Sequence, residues 1–392
     1  MNEIYLDYNA SAPCDPRVTE AVAKAMTDGL GNASSAHRFG RRQDAAVSDA
    51  REQVAGLVGG LPGGVIFTAG ATEANNLALG GFAAADPETL SGAQPTIVTS
   101  AVEHASVVRT AEALAAAGRC HLQIAPVTPE GFVDLGALAG MVQATEGALL
   151  VSVMAANSET GVLSPIAEIA DLVHQVGGLF HCDATQMVGR LPFDMTALGC
   201  DLVSLSGHKI CGPTGTGALV GTREALAALR PTVWGGGHER GLRSGSLNVA
   251  GIVGLGVAAE IAADEQSTEA ERVGALRDRF VAALEGELAD VVQNGDIQRR
   301  LPNTANLRFC GADADAVLVN MDPVAASAGS ACSTGAIEPS PVLTAMGLSR
   351  DAAFESVRFS LGRFTTAAEI EAAAREVVTA VRYVRLMTSE AA

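Results

Sequence analysis

Between about residue 60 and residue 222, short apolar runs alternate with stretches of helical length, and this alternation limits the fold more than any other feature. The runs Val65–Thr68, Thr96–Ser100, His121–Ala125, Ala148–Met154, Leu179–Asp183, Asp201–Ser204 and Ala218–Gly221 have the length of strands. Between them lie segments such as Pro165–Val176, where Ile166, Ile169, Ala170 and Val173 share one helical face. Strand, helix, strand in repetition predicts an α/β fold on a mostly parallel sheet. Ligands on such sheets sit beyond the carboxyl ends of the strands, in the loops that lead into helices. After the Gly-rich stretch Gly235–Gly245, Val249 to about Val292 reads as helices with charged surfaces. Strands at Asn306–Phe309 and Ser356–Ser360 follow, then a final helix from Ala367 to about Met387. The reading is a large domain over residues 16–250 and a smaller α+β domain over 251–392, with residues 1–15 folded back against the latter.

A chain of 392 residues can bury a sizeable core. Its net charge of -18 disfavours capture of nucleic acid or an anionic membrane, and no basic run occurs anywhere. No apolar stretch reaches membrane-spanning length without polar interruption, and Met1–Asn9, which contains Glu3 and Asp7, lacks the pattern of a signal peptide. The seven cysteines are scattered and include no C-x-x-C pair, so neither a disulfide framework nor a metal centre is expected. The expected address is the cytoplasm.

The chain has two lysines, Lys24 and Lys209, among many arginines. Compositional bias explains the scarcity, but it makes a retained lysine informative, because arginine cannot give up its proton to act as an amine nucleophile. Lys24 occupies a polar position on an amphipathic helix, whereas Lys209 ends Ser206-Gly207-His208-Lys209, at the carboxyl end of a predicted strand. Three other loops hold equivalent places. Gly70-Ala71-Thr72 opens a helix and offers backbone N–H groups and a hydroxyl to a phosphate. Glu103-His104 and Asp183-Ala184-Thr185-Gln186 follow two further strands. Taken singly, Thr72 reads as a helix cap, His104 as a satisfied imidazole and Asp183 as a turn residue. Four strand ends of one sheet bearing such groups together read as a site.

With these motifs in view, the chain resembles the class V aminotransferase family of fold-type I pyridoxal-phosphate enzymes. The resemblance rests on Ala71-Thr72-Glu73, Glu103-His104, His181-Cys182-Asp183-Ala184-Thr185-Gln186 and Ser206-Gly207-His208-Lys209, and starts at Tyr5-Leu6-Asp7-Tyr8-Asn9-Ala10. Within that family, Gly235–Ser246, Ser327–Ser333 and Ser356–Thr366 are similar to the cysteine desulfurases of the NifS/IscS group. The implied fold is aspartate-aminotransferase-like: a large cofactor-binding domain on a seven-stranded, mostly parallel sheet, plus a smaller α+β C-terminal domain.

The resemblance also implies roles. Lys209 is expected to bind the aldehyde of pyridoxal 5'-phosphate covalently, and Asp183 to pair with its pyridine nitrogen. His104 is expected to stack on the ring and take part in proton transfer, and Gln186 to contact the phenolate oxygen. Ala71, Thr72, Ser206 and His208 hold the phosphate, with Ser246 reaching it from a second subunit of a homodimer. Asn157 faces the cofactor and substrate, and Arg358 grips the substrate carboxylate. L-Cysteine is then converted to L-alanine while Cys332 takes the sulfur as a persulfide for an acceptor protein, an iron–sulfur scaffold or another sulfur carrier. From Ala325 to Gly335 the chain is only Ala, Ser, Gly, Cys and Thr, which suits a loop better than a core and sets Cys332 apart from the other six cysteines.

Two positions depart from the family pattern: Ser158 stands where a second Asn is usual, and Ser246 where Thr is usual. The nearest rival readings are a selenocysteine lyase or a cysteine lyase that eliminates sulfide without a persulfide, and the Cys332 loop favours the desulfurase. Gly254-Leu255-Gly256-Val257-Ala258-Ala259 is a weak dinucleotide-binding match, because it falls in a helical pattern. A non-catalytic sulfur carrier needs none of Lys209, Asp183 and His104.

Overall fold

A computed structural model describes residues 3–85, 94–329 and 338–391. Cys332 lies outside the described residues. After β1 (Ile4–Tyr5), α1 (Pro16–Asp28) and α2 (Arg38–Leu57), strands and helices alternate: β2 (Val65–Thr68), α3 (Ala71–Ala83), β3 (Thr96–Ser100), α4 (Ala105–Ala116) and β4 (His121–Ala125). Then come α5 (Leu135–Ala144), β5 (Leu149–Ser152), α6 (Ile166–His174), β6 (Leu179–Asp183), β7 (Leu202–Ser206), β8 (Gly217–Gly221) and α7 (Arg223–Ala228). The seven strands β2 to β8 form one sheet in the order β2-β8-β7-β6-β5-β3-β4. β8 runs antiparallel to both its neighbours, β2 and β7, while β7, β6, β5, β3 and β4 are mutually parallel.

Apart from the edge strand β4, the strands alternate their side chains between two apolar layers, as the period of two requires. Leu149 and Val151 enter one core and Leu150 the other; Val65 and Phe67 enter the first, and Ile66 the second. Burial on both faces explains why these strands read as continuous apolar runs. The shared direction of β7, β6, β5, β3 and β4 places their carboxyl ends on one edge of the sheet, where polar loops can converge.

Residues 249–287 form a single helix, α8 (Val249–Glu287), of 39 residues rather than the several expected. Its first half packs in the large core through Ile252, Leu255 and Ala258, and its second half in a separate core through Val273, Phe280 and Leu284. The Gly254–Ala259 motif lies inside this helix. A Cβ at Gly256 would come 2.7 Å from Ala50 Cα of α2, and one at Gly254 would come 2.5 Å from Val22 Cγ2 of α1. Those glycines let helices approach closely and belong to no dinucleotide turn.

The second core covers a small antiparallel sheet of β9 (Val291–Gln293), β10 (Thr304–Phe309) and β12 (Ser356–Ser360), ordered β12-β10-β9. Between these strands lie α9 (Ala314–Asn320), β11 (Val324–Ala325), α10 (Pro341–Ala345) and α11 (Arg350–Phe354). Phe280 and Phe309 each meet Phe359 edge-on, with ring centroids 5.0 and 6.4 Å apart. The last helix, α12 (Ala367–Ala391), packs on α8 and α9. At the other end of the chain, β1 pairs in parallel with β11. Asn9 is tied to this region three ways: its N–H donates to Ser360 Oγ at 2.9 Å, its Nδ2 to Thr304 Oγ1 at 2.9 Å, and its Oδ1 accepts from Asn303 Nδ2 at 3.0 Å. The carbonyls of Asn9 and Ala10 are thereby held next to the large sheet.

Candidate active site

A cavity of about 800 Å³ opens at the carboxyl ends of β2, β3, β6 and β7, a size that ordinary small-molecule sites share. Ala71, Thr72 and His104 line it, as do Asp183, Gln186, Ser206, His208 and Lys209. These are eight of the residues singled out in the sequence, drawn from four separate loops. Asn157, Ser246 and Arg358 are not among the lining residues.

One end is built for an anion. Gly70, at φ 153, lets the chain turn from β2 straight into α3, whose N-cap carries no side-chain hydrogen bond. The first N–H groups of α3 and the Thr72 hydroxyl therefore stand at a helix N-terminus, where anions are favoured. A Cβ at Gly217 would lie 2.6 Å from Gly70 Cα, so that glycine lets β8 support the turn. Glu73, the one acidic residue of this first turn, is bound away: its Oε2 accepts from Ala69 N at 2.7 Å and its Oε1 from Arg243 Nε at 2.9 Å. His208 is pushed down to about 4 by burial, then by Lys209 and Arg190, so at neutral pH it is an uncharged N–H donor.

Asp183 closes β6 and is buried. Its Oδ2 accepts from Asn75 Nδ2 at 2.8 Å and its Oδ1 from Thr185 N at 3.1 Å. His104 caps α4: its Nδ1 receives the Ser106 N–H at 3.1 Å and lies 2.7 Å from Ser106 Oγ. The Thr185 hydroxyl is buried and has no partner, although Thr185 lines the cavity. A buried hydroxyl without a partner is costly and marks a place where a ligand atom belongs.

Lys209 follows β7 in a 3-10 turn, Gly207–Lys209. Its Nζ donates to the carbonyl of Asn9 and, at 2.7 Å, to that of Ala10. Burial first, and then the guanidinium groups of Arg190 and Arg358, lower its pKa from 10.5 to about 7. Arg190 was not legible in the sequence, yet it braces the site. It donates to Gln186 Oε1, to Gln186 O at 2.8 Å and to Tyr8 O at 3.2 Å, while Gln186 Nε2 donates to Asn9 O at 3.0 Å. Glu103, beside His104, is pushed up to about 8 by burial, against hydrogen bonds from Ser100 and Met154, so its carboxyl keeps a proton near neutrality.

Three of the expected residues stand outside the cavity lining. Asn157 was expected to face cofactor and substrate, but its amide is fully used locally: Nδ2 donates to Val102 O at 3.0 Å, and Oδ1 accepts from Glu159 N and Thr160 N, both at 2.9 Å. It holds the turn that brings Ser158 to the cavity wall. Arg358 is buried and pairs with Asp7 Oδ1 at 2.6 Å and Ser158 O at 3.2 Å; only its Nε lacks a partner. Ser246 is exposed, beyond Gly245 at φ 115, on the loop that leads into α8. Among the described residues no group of His, Cys, Asp and Glu is arranged to hold a metal.

An anion cradle, an acceptor carboxylate for a ring N–H, and an amine half free of its proton call for a phosphorylated aromatic aldehyde. Pyridoxal 5'-phosphate has those three groups, and the fold and site together define a fold-type I pyridoxal-phosphate enzyme. Residues 4–373 match the aminotransferase class-V family, and the chain belongs to it. Cysteine desulfurase IscS of Anaeromyxobacter dehalogenans (strain 2CP-C) is 44% identical over 386 residues, covering 98% of this chain and 94% of that protein. Cysteine desulfurase IscS of Pectobacterium atrosepticum is 44% identical over 371 residues, or 94% and 90% of the two chains. The X-ray structure of a NifS-like protein from Rickettsia africae superposes with a TM-score of 0.86 at 32% identity, covering 97% of this chain and 99% of that one. DndA from Streptomyces lividans gives 0.75 at 38% identity, with 91% and 99% covered. The cofactor of the chain is pyridoxal 5'-phosphate.

Proposed function

We propose that the chain takes sulfur from L-cysteine through the cavity at Lys209, releasing L-alanine and leaving the sulfur on Cys332 as a persulfide. It is a pyridoxal-phosphate-dependent cysteine desulfurase, like the relatives it matches along nearly its whole length. The observation that carries the reading is the buried Lys209 amine, lowered to about 7 and set in one cavity with Asp183 and the α3 anion cradle. Bound pyridoxal phosphate supplies an electron sink for bond cleavage next to the substrate's α-carbon.

Asp183 would accept the ring N–H and keep it charged, Gln186 would face the phenolate oxygen, and Ala71, Thr72, Ser206 and His208 would hold the phosphate. His104 would cover the ring. Lys209 would hold the cofactor aldehyde, and its Nζ, when free, would take a proton from the substrate's α-carbon and return it where the reaction needs one. The Asn9 and Ala10 carbonyls give that free amine two acceptors. Arg358 meets the substrate carboxylate through its unpartnered Nε and by exchange of Asp7. Asn157 acts by holding the Ser158 turn, and any substrate contact from it requires that turn to open.

The Cys332 thiolate attacks the substrate sulfur, the carbon–sulfur bond breaks with its electron pair left on the carbon fragment, and protonation of that fragment yields alanine. Support for Cys332 comes from both sides of its segment. Ser340 Oγ donates to Glu159 Oε2 at 2.5 Å, and a Cβ at Gly329 would come 3.4 Å from the same oxygen. Both described ends therefore meet beside Ser158 of the cavity wall. The test measures alanine and sulfide from L-cysteine with a reductant, for wild type and Cys332→Ala. Equal amounts of both products from wild type and almost none from the variant support the mechanism, whereas wild-type rates from the variant assign the protein to the lyases.

The same reading makes the protein a homodimer in which Ser246 completes the phosphate site of the partner subunit; the exposed position of Ser246, away from its own cavity, supports this. Sedimentation as a fully active monomer contradicts it. We take residues 16–250 as the cofactor-binding domain and residues 1–15 with 251–392 as the small domain, joined by α8, whose first half packs in the large core and whose second half packs in the small one. No helix among the described residues is long and apolar enough to cross a membrane. We place the enzyme in the cytoplasm, passing sulfur to an iron–sulfur scaffold or another carrier.

A further inference from the structure

Asn75 lies in α3 at a position with no exposure, among Ala74, Leu77 and Ala78. A buried amide on an apolar helix face requires partners. Its Nδ2 has two, Ser106 Oγ at 2.8 Å and Asp183 Oδ2 at 2.8 Å, while its Oδ1 is buried with none. The amide orientation is determined by these neighbours: turned over, its oxygen would face the Asp183 carboxylate. We propose that Asn75 is a positioning residue that uses the two hydrogens of one amide to aim the Asp183 carboxylate and to fix the tautomer of His104.

The direction of each bond follows in sequence. An amide nitrogen only donates, so Asp183 Oδ2 and Ser106 Oγ both accept from it. Ser106 Oγ then has its own hydrogen for His104 Nδ1, 2.7 Å away. The backbone N–H of Ser106 points at the same nitrogen from 3.1 Å. With two donors aimed at it, Nδ1 carries no hydrogen, and the ring hydrogen of His104 sits on Nε2. On the other side, Thr185 N holds Asp183 Oδ1 at 3.1 Å, so with Asn75 the carboxylate is fixed at both oxygens. One side chain thus couples the group that faces the cofactor's ring nitrogen to the group that covers its ring.

The inference rests on the cofactor site proposed above, and its test keeps the two apart. Asn75→Asp retains size and shape but replaces the donor with a carboxyl group facing Asp183, and two facing carboxyls compete for one proton. The probe is pyridoxal 5'-phosphate labelled with 15N in the ring, bound to wild type and to the variant, with Kd from equilibrium dialysis and protonation from the ring 15N shift. The expected result is a Kd raised at least about tenfold and a ring resonance moved toward the unprotonated form. Wild-type affinity with an unmoved resonance overturns the proposal. Should the variant not fold, 15N-histidine spectra of the wild-type holoenzyme decide, with His104→Gln identifying the signal: a bare Nδ1 and protonated Nε2 uphold the inference, and a protonated Nδ1 overturns it. If wild type does not retain the labelled cofactor, the cofactor site and this inference fall together; retention with an indifferent Asn75→Asp sinks only the role of Asn75.

Discussion

The amine of Lys209 is held at about 7 instead of 10.5. At pH 7 about half of it is therefore free base, against about one part in three thousand for an ordinary lysine, a gain of roughly a thousandfold in nucleophile. Lys24, the other lysine of the chain, supplies an internal reference. It is exposed on α1, bonded to Asp28 Oδ2 at 2.7 Å, and that bond holds its pKa above the ordinary value. Apoenzyme labelled with trace acetic anhydride from acid to alkaline pH, then digested and weighed by mass spectrometry, reports both amines in one sample. Lys209 is expected to gain reactivity with a midpoint near neutrality and Lys24 only in the alkaline range. Arg190→Leu, which removes the second cause of the depression, moves the Lys209 midpoint upward while burial, the first cause, keeps it below that of Lys24. A Lys209 that becomes reactive only alongside Lys24 refutes the argument from burial.

Glu103 keeps its proton in the fold up to about pH 8, whereas the unfolded chain releases it near 4.5. Between those values the native state binds more protons, so raising the pH favours unfolding by up to about 1.4 kcal/mol per unit. Glu103→Gln is therefore expected to approach and then exceed wild-type Tm as pH rises from 5 toward 8, and a constant difference across that window contradicts the buried acid. Gly217→Ala forces a Cβ to 2.6 Å from both Gly70 Cα and Leu205 O, backbone that cannot step aside. It is expected to cost about 1–3 kcal/mol in denaturant unfolding and to weaken cofactor binding as well. Gly56→Ala, in α2 with nothing within 4 Å of the new methyl, is expected to raise stability by about 0.5–1 kcal/mol and to leave cofactor binding alone.

Most of the large sheet is visible in the sequence because its strands, apart from the edge strand β4, are buried on both faces. Val65–Thr68, Thr96–Ser100, His121–Ala125 and Leu179–Asp183 begin and end where the apolar runs do. Direction is not encoded in a two-residue period, so the reversal of β8 became visible only in the pairing of Ala218 with Phe67 and Leu205. The unity of α8 was hidden because one half buries a face against the large core and the other half against the small one, so no single stripe runs its length. In the site, Thr72, His104, Asp183 and Lys209 stood out because they end apolar runs. Asn75 and Arg190 did not, since a polar residue inside a helix or after a turn has no local signature, and its partners lie far away in the chain. The carbonyls of Asn9 and Ala10 could not be foreseen at all, because every residue has one. Asn157 is the opposite case: the resemblance gives it a role toward the cofactor and substrate, while the structure shows its amide bonded within its own turn.

The central claim is that sulfur leaves L-cysteine by way of Cys332, and a single turnover tests it directly. Holoenzyme mixed with substoichiometric L-cysteine and no reductant, alkylated and digested, is expected to gain the mass of one sulfur atom on the Cys332 peptide alone, matched by an equal amount of alanine. Alanine formed with no added sulfur on that peptide, and free sulfide in its place, contradicts the account.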